Sequence, residues 1–249
     1  MTSKRIYTFF TIGLVGFLGL SAQEKKSEMS PKETEDWTNE PKQLSFNENN
    51  VPSDAIVLFD GTNLDAWQNR KEETPAKWTV NGDGTMTVKP GTGDIKTKEK
   101  FGSIQLHLEW SAPDKIESEG QGRGNSGVFF QEKYEVQILD SYNNRTYSNG
   151  QATAIYKQTI PLANATKSPT EWQTYDIIFH QPVFHNGKKV QSGTFTVIHN
   201  GVVVQDHVEI KGSTEYIGPP LNDVHGVGSI VLQDHGNLVQ YRNIWLRKL

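Results

Sequence analysis

The chain has 249 residues, a formal net charge of −4 at pH 7 and no cysteine. The missing cysteine excludes disulfides, thiolate metal sites and a cysteine nucleophile, and argues against the lipid-modified cysteine of a bacterial lipoprotein. The small net charge and the lack of a long basic run argue against a nucleic-acid partner.

The first residues have the composition of a secretory signal. Lys4 and Arg5 precede an apolar run over 6–20, and small residues follow it. The run is about 15 residues long, shorter than the roughly 20 that a membrane-spanning helix needs. We therefore expect a signal peptide over 1–22, a secreted or periplasmic protein and no stable membrane span after cleavage. A retained membrane anchor is the alternative.

The next segment, 23–50, is rich in Glu, Lys, Ser, Pro and Asn and poor in aliphatic residues. Such a composition does not bury enough apolar surface to fold alone, so we expect a flexible leader. From 51 to 249 the pattern changes to short apolar or alternating runs separated by Gly, Asn, Asp and Pro. No amphipathic helix is indicated, and this length fits one β domain.

Several runs predict individual strands. "IVLFDG" begins at Ile56, a hairpin is expected across Asn81 to Gly84, and "SIQLHLEW" covers 103–110. The last run alternates four apolar residues with four polar ones, which is typical of a half-buried antiparallel strand. His107 falls on its polar face and is predicted to be a surface histidine.

Further strands are predicted at "GVFF", "YEVQILD", "YDIIFH", "TFTVIH", "VVVQDHVEI" and the closing "VQYRNIWLRKL". The dipeptide Asn200-Gly201 is a strong hairpin signal. About ten to fourteen short strands without helices favour an all-β fold, a two-sheet jelly-roll sandwich.

Two segments carry candidate site residues. In "GRGNSGVFFQEKYEVQILD", a glycine-rich turn presents Arg123 and Asn125, and Glu135 and Gln137 share one face of a strand. This polar face is either solvated or the floor of a site. In "VLQDHGN", Gln233 and His235 share a face near a strand end.

His235 is the best general base by residue type, because imidazole exchanges protons near pH 7. A surface histidine at a turn is the alternative. Asp234 orients His235 only if the strand has ended or twisted there. No G-x-S-x-G elbow and no metal-binding spacing is present, so no cofactor is indicated, although convergence of Glu, Asp and His on a divalent metal remains open.

Taken in order, the motifs "LFDGTNLDAW", "GNSGVFF", "YEVQILD", "EWQTYDI", "VLQDHG" and "YRNIWLRKL" resemble the 3-keto-disaccharide hydrolase family, formerly a domain of unknown function with a concanavalin A-like jelly roll. The resemblance covers 55–249 and places the segment 144–159 near the site. It implies a secreted or periplasmic bacterial protein that cleaves glycosides already oxidised at C3. A C3 ketone acidifies the C2 proton, so a base forms an enolate that expels the leaving group at C1.

The resemblance also implies the site. Its catalytic candidates are Glu135, Asp234 and His235, and its substrate-binding candidates are Arg123, Asn125, Gln137, Asp140, Gln233 and Arg242. We expect His235 as the base, Glu135 as the alternative base or the leaving-group acid, and Arg123 and Asn125 as donors to the ketone or enolate oxygen.

Two alternatives stay open. An ordinary two-carboxylate glycosidase would need Glu135 with Asp140 or Asp234. A non-catalytic, lectin-like module would bind a carbohydrate on the same fold without chemistry. The expected partner is a small carbohydrate in either case, and the sequence specifies no oligomeric state.

Overall fold

A computed structural model describes residues 30–249. The predicted signal peptide, 1–22, and the start of the expected leader lie outside the described residues. The chain divides into two compact units, Met1–Gln43 and Leu44–Leu249, and the described part of the first contains one 3-10 helix, Pro31–Thr34. Between residues 30 and 249, no helix combines the length and apolarity needed to cross a membrane.

The described residues of the second unit form strands and two 3-10 helices, Gly120–Gly122 and Ser148–Gly150. The strands are β1 Ile56–Phe59, β2 Trp67–Asn69, β3 Thr79–Val80, β4 Met86–Thr87, β5 Ile95–Thr97, β6 Ile104–Ser111, β7 Ser126–Phe130, β8 Tyr134–Ile138, β9 Gln173–His180, β10 Val183–His185, β11 Lys188–Gln191, β12 Thr194–His199, β13 Val202–Glu209, β14 Val231–Leu232 and β15 Gln240–Lys248.

Two antiparallel sheets form a sandwich. The larger has eight strands in the order β13-β12-β9-β6-β15-β4-β3, with β1 also paired to β15. The smaller has five strands in the order β2-β5-β14-β7-β8, and β10 pairs with β11 as a separate hairpin. The predicted all-β, two-sheet fold is confirmed. The described strands number fifteen rather than ten to fourteen, because β3, β4 and β14 are short pieces of only two residues.

The core lies between the two sheets. Ile104, Leu106, Leu108 and Trp110 of β6 are fully buried, as their alternation predicts, while the polar residues between them are on the other face. From the smaller sheet, Val128, Phe130, Val136 and Ile138 pack into the same cluster. Burial of this apolar surface is the main stabilisation available to a chain without disulfides.

Both hairpins that the sequence indicated are present. Asn81 begins the turn that joins β3 to β4, and its backbone N–H donates to the Thr85 carbonyl oxygen at 2.8 Å. Asn200 and Gly201 join β12 to β13 with φ values of +52° and +81°. Two consecutive residues with positive φ are what a type I′ turn requires, and Asn-Gly is the dipeptide that adopts them most readily.

Strand β8 lies at the edge of the smaller sheet, yet another segment of the chain covers that edge. All five of its residues are buried. The segment Ala152–Tyr156 runs along the edge, where Thr153 N donates to the Gln137 carbonyl and Tyr156 N donates to the Glu135 carbonyl. Covering the edge in this way protects it from pairing with another chain. It also brings the residues that follow next to Glu135.

Candidate active site

A cleft of about 700 Å³ lies on the face of the smaller sheet that points away from the core, and its volume is in the range of small-molecule sites. The sheet forms its floor, and loops form its walls. The cleft is lined by Gln121, Gly122, Asn125, Phe129, Glu135, Gln137, Tyr147, Tyr156, Lys157, Thr214, Tyr216, Gln233 and His235.

The polar face of β8 forms part of this floor. Glu135 and Gln137 project into the cleft because Tyr134, Val136 and Ile138 occupy the core side of the strand. Glu135 is only 4% exposed. The alternation of "YEVQILD" allows this polar face to be either a solvated sheet face or the floor of a site. Because loops wall this face in, it is the floor of a cleft.

Burial sets the protonation state of Glu135. Removal of the carboxylate from water raises the pKa of Glu135 to about 8; the negative charge of Asp94 raises it further, and the positive charge of Arg70 opposes both. The carboxyl group is therefore mostly protonated at neutral pH. In that state it donates a proton more readily than it accepts one.

Gln137 lies next to this carboxyl group. With its amide nitrogen turned toward β7, Gln137 donates to the Ser126 carbonyl at 2.9 Å and to Oε1 of Glu135 at 3.2 Å. Gln121 approaches the other side of the Gln137 amide at 3.0 Å. The amide and the carboxyl group are thus held side by side on the floor.

His235 enters the cleft from the turn that follows β14. Gln233 N donates to the Gly127 carbonyl at 3.0 Å, and the Gln233 carbonyl accepts from Oγ of Ser126 at 2.6 Å, so the start of the turn is fixed to β7. His235 itself is exposed. Within the described part of the chain its imidazole has no hydrogen-bond partner, which leaves both ring nitrogens available.

Asp234 does not line the cleft. Its Oδ2 accepts from Gly93 N and its Oδ1 accepts from Gly236 N, both at 3.0 Å. The carboxylate is therefore committed to two backbone groups and faces away from the imidazole of His235, as expected for neighbours on an extended segment. Asp234 shapes the turn that presents His235.

Arg123 and Asp140 form a buried ion pair beside the cleft, with Nε and Oδ2 at 2.6 Å. Arg123 also donates to the Tyr142 carbonyl at 3.0 Å. The pair borders a separate cavity of about 100 Å³. Because Arg123 is paired with Asp140 and borders this cavity rather than the cleft, the geometry does not provide the predicted donation from Arg123 to a ketone oxygen.

Arg242 lies on the other sheet. Its Nε is 2.7 Å from Oε2 of Glu109, and its guanidinium stacks over the Trp172 ring at 4.1 Å. The predicted binding residues Asn125, Gln137 and Gln233 line the cleft together with Glu135 and His235, whereas Arg242 belongs to the outer face of the larger sheet.

Three tyrosines, which we call the tyrosine wall, complete the site: Tyr147, Tyr156 and Tyr216. The hydroxyls of Tyr147 and Tyr156 are 2.5 Å apart, and burial raises the pKa of both side chains. Lys157 stands beside them. No sequence pattern assigns a role to these residues, because they lie in loops without periodicity. The expected placement of 144–159 near the site covers Tyr147, Tyr156 and Lys157 but not Tyr216.

Residues 54–247 match the sequence model of the 3-keto-alpha-glucoside-1,2-lyase-like domain. A relative named 3-keto-disaccharide hydrolase, from Bacteroides thetaiotaomicron, is 25% identical over 252 residues, covering 80% of this chain and 81% of the relative.

Two crystal structures from Parabacteroides distasonis, both described as candidate glycosyl hydrolases, have the same fold. One is 47% identical with a TM-score of 0.86, covering 90% of this chain and 98% of that chain. The other is 19% identical with a TM-score of 0.57, covering 78% and 94%, and supports the fold alone.

Proposed function

We propose, since the chain belongs to the family of 3-keto-alpha-glucoside-1,2-lyase-like domains, that its cleft cleaves the glycosidic bond of 3-keto-glycosides such as 3-keto-disaccharides. The observation that carries the proposal is the pairing of a buried, protonated carboxyl group, Glu135, with a free imidazole, His235, on one cleft. The relative from Bacteroides thetaiotaomicron bears the name of this activity.

The presence of one carboxyl group among the described lining residues of the cleft favours elimination over ordinary glycoside hydrolysis. Ordinary glycosidases flank the bond with two carboxyl groups about 5–5.5 or 6.5–9.5 Å apart. Among the described lining residues Glu135 is the sole carboxyl group, because Asp140 is paired with Arg123 and Asp234 holds a turn. A ketone at C3 removes the need for the second carboxylate, since it makes the C2 proton acidic.

The first half of the reaction uses both groups. His235 takes the C2 proton, the C2–H electron pair forms the C2–C3 double bond, and the carbonyl pair moves onto the C3 oxygen. The enolate then reforms the ketone as the double bond shifts to C1–C2 and the C1–O bond breaks. The leaving oxygen takes the proton of Glu135.

Addition of water restores the enzyme. The Glu135 carboxylate accepts a proton from the water that adds at C1, and the protonated His235 returns a proton to C2. The products are the free aglycone or sugar and a 3-keto sugar. Glu135 lies on β8 and His235 lies in the turn that follows β14, with strand β7 between them, so the two groups reach the cleft from different elements.

The test is to incubate the purified protein with 3-keto-disaccharides and with the same disaccharides unoxidised, and to measure released monosaccharide. Release is expected from the keto substrate alone. Glu135→Gln and His235→Ala are each expected to lower kcat about 10²–10⁴-fold. Matched controls are Glu209→Gln and His185→Ala, which change exposed residues away from the cleft and should leave kcat unchanged.

Two other outcomes overturn the proposal. Binding of keto-disaccharides without release, at any pH between 5 and 9 and with or without added divalent metal, would identify a lectin-like module. Equal cleavage of unoxidised disaccharides would identify an ordinary glycosidase. Repeating the assay after treatment with a chelator tests whether a divalent metal takes part.

A further inference from the structure

The enolate formed in the proposed reaction needs a cation or a hydrogen-bond donor to stabilise its negative oxygen. Among the described residues that line the cleft, Lys157 is the sole lysine or arginine. The other cation expected there, Arg123, is held by Asp140 outside the cleft.

The backbone at Lys157 is unusual for a lysine. Its φ is +58°, in the left-handed region that residues with a β-carbon seldom adopt. Lys157 N donates to the Asn149 carbonyl at 2.8 Å, while the preceding Tyr156 N donates to the Glu135 carbonyl at 3.1 Å. Strained positions of this kind persist where the surrounding structure fixes them, and they are concentrated at functional sites. Here the strained position belongs to an exposed lysine that lines the cleft.

The Lys157 ammonium group is held by tyrosines rather than by a carboxylate. Its Nζ donates to the Tyr216 carbonyl at 2.5 Å and stands 4.2 Å from the centre of the Tyr216 ring. The rings of Tyr156 and Tyr147 lie at 5.7 and 5.8 Å. Over residues 30–249, no ion pair joins Lys157 to an acidic side chain. The tyrosine faces retain the cation without neutralising its charge.

We propose that Lys157 binds the C3 oxygen of the substrate and stabilises the enolate that forms there. The inference rests on the proposed function. As His235 removes the C2 proton, negative charge moves to the C3 oxygen, where an ammonium donor stabilises the enolate more than the ketone. A cation fixed before the reaction and aimed at developing charge lowers the barrier, whereas equal binding of ketone and enolate would not. The tyrosine wall acts as a positioning element for this cation.

The decisive measurement isolates enolate formation from bond cleavage. A 3-keto-1,5-anhydrohexitol has the C3 ketone and the C2 proton but no glycosidic group at C1, where only the ring oxygen is bonded. In deuterated buffer the wild-type protein should exchange its C2 proton, which NMR follows directly. Lys157→Met, which keeps the length of the side chain and removes the charge, should slow the exchange about 10²–10³-fold. Lys188→Met, at an exposed lysine of the β10–β11 hairpin, is the matched control and should exchange at the wild-type rate.

Steady-state kinetics on the 3-keto-disaccharide give a second readout. Loss of an interaction specific to the enolate lowers kcat and leaves KM nearly unchanged, whereas loss of a simple binding contact raises KM alone. Ethylammonium added to Lys157→Ala should restore part of kcat in proportion to its concentration, because it returns a cation to the vacated space. A purely structural lysine would not be rescued in this way.

The outcomes separate the two proposals. If the wild type cleaves and exchanges while Lys157→Met does both at the wild-type rate, or changes KM only, the role of Lys157 is wrong and the proposed function stands. If the wild type neither cleaves nor exchanges, the proposed function fails and the role of Lys157 fails with it. Circular dichroism of Lys157→Met, matched to the wild type, excludes loss of folding as the cause of a slow rate.

Discussion

Gly127 of β7 makes room for the carboxyl group of Glu135. A β-carbon built on Gly127 would lie 2.5 Å from Oε1 of Glu135, too close for the carboxyl group to stay in place, and 3.2 Å from its Cδ and Cγ, which are tight contacts. The two residues are diagonal neighbours across the pair β7–β8, because Gly127 pairs with Gln137 and Glu135 pairs with Phe129, two residues further along β7. Gly127, the second glycine of "GNSG", is therefore needed because the carboxyl group of Glu135 fills the space that a side chain would take. A turn is not the reason for this glycine.

Replacing Gly127 by alanine should displace the acid. Gly127→Ala is expected to lower the rate of keto-glycoside cleavage at least about 10²-fold, since a displacement of about 1 Å at a reacting group costs that much. The crowding should also lower the free energy of unfolding by about 1–3 kcal/mol. Assays and urea denaturation measure both effects. The matched control is Gly82→Ala, where a β-carbon would meet no atom within 4 Å; similar losses in both variants would contradict the argument.

The raised pKa of Glu135 predicts the alkaline limb of the activity profile. If Glu135 protonates the leaving oxygen, kcat should fall as the pH rises through about 8, because the carboxyl group then loses its proton. Glu135→Gln should abolish this limb and retain only low activity. A wild-type kcat that instead increases through pH 8 would make Glu135 a base, which is the other role that the sequence left open.

The same group links stability to pH. The carboxyl group of Glu135 has its ordinary pKa of 4.5 in the unfolded chain and a pKa of about 8 in the folded one, so between these values the folded state holds a proton that the unfolded state has released. The contribution of Glu135 to the free energy of unfolding therefore decreases as the pH rises from 4.5 to 8, with a slope of at most about 1.4 kcal/mol per pH unit. Urea denaturation at several pH values should show a shallower decline in Glu135→Gln.

His107 should behave as a charged residue rather than as an ordinary surface histidine. Burial lowers the pKa of His107, but hydrogen bonds to Asp176 and Glu109 outweigh it and raise the pKa to about 9. Its stabilising contribution is complete below pH 6.5 and is lost as the pH rises through 9. NMR titration of the imidazole should give this value in the wild type and a lower one in Asp176→Asn. A titration near pH 6.5 in both would contradict the network.

The Arg123–Asp140 pair should matter for folding more than for catalysis. Side chains of the two residues are 11% and 2% exposed, so Asp140→Asn leaves a buried guanidinium without its counterion. A loss of about 3–5 kcal/mol in the free energy of unfolding is expected, which urea denaturation measures. Glu117→Gln breaks the fully exposed pair with Lys115 and should leave the stability unchanged. If Asp140→Asn lowers kcat strongly without a loss of stability, the pair acts on the substrate after all.

The strands and hairpins follow from local rules. The alternation in β6 identified which residues face the core, and Asn200-Gly201 identified a turn, because side-chain period and left-handed backbone preference are properties of a few adjacent residues. The same rules placed Glu135 and Gln137 on one face of β8. They did not say which face would be open, because that depends on what packs over the sheet.

Lys157 shows most clearly which features of the site the sequence alone does not predict. Nothing in its neighbourhood along the chain indicates a functional cation, since it lies in an irregular loop. Its position results from the backbone pairing of Ala152–Tyr156 with β8 and from Tyr216, a residue about sixty positions away along the chain that belongs to another loop. Loop conformations are set by such distant contacts, so periodicity does not reveal them.

The sequence by itself determined the β class, the core-facing residues, the two turns and the residue types able to exchange protons, because each depends on composition or on short-range backbone preference. The tertiary structure alone decided which of those groups share a cleft. In the folded chain Asp234 is hydrogen-bonded within a turn, and Arg123 is paired with Asp140. Arg242 lies on the other sheet, and Glu135 is buried deeply enough to keep its proton at neutral pH. Burial and pairing arise from contacts between residues far apart in the chain, and these set both the charge and the accessibility of a side chain.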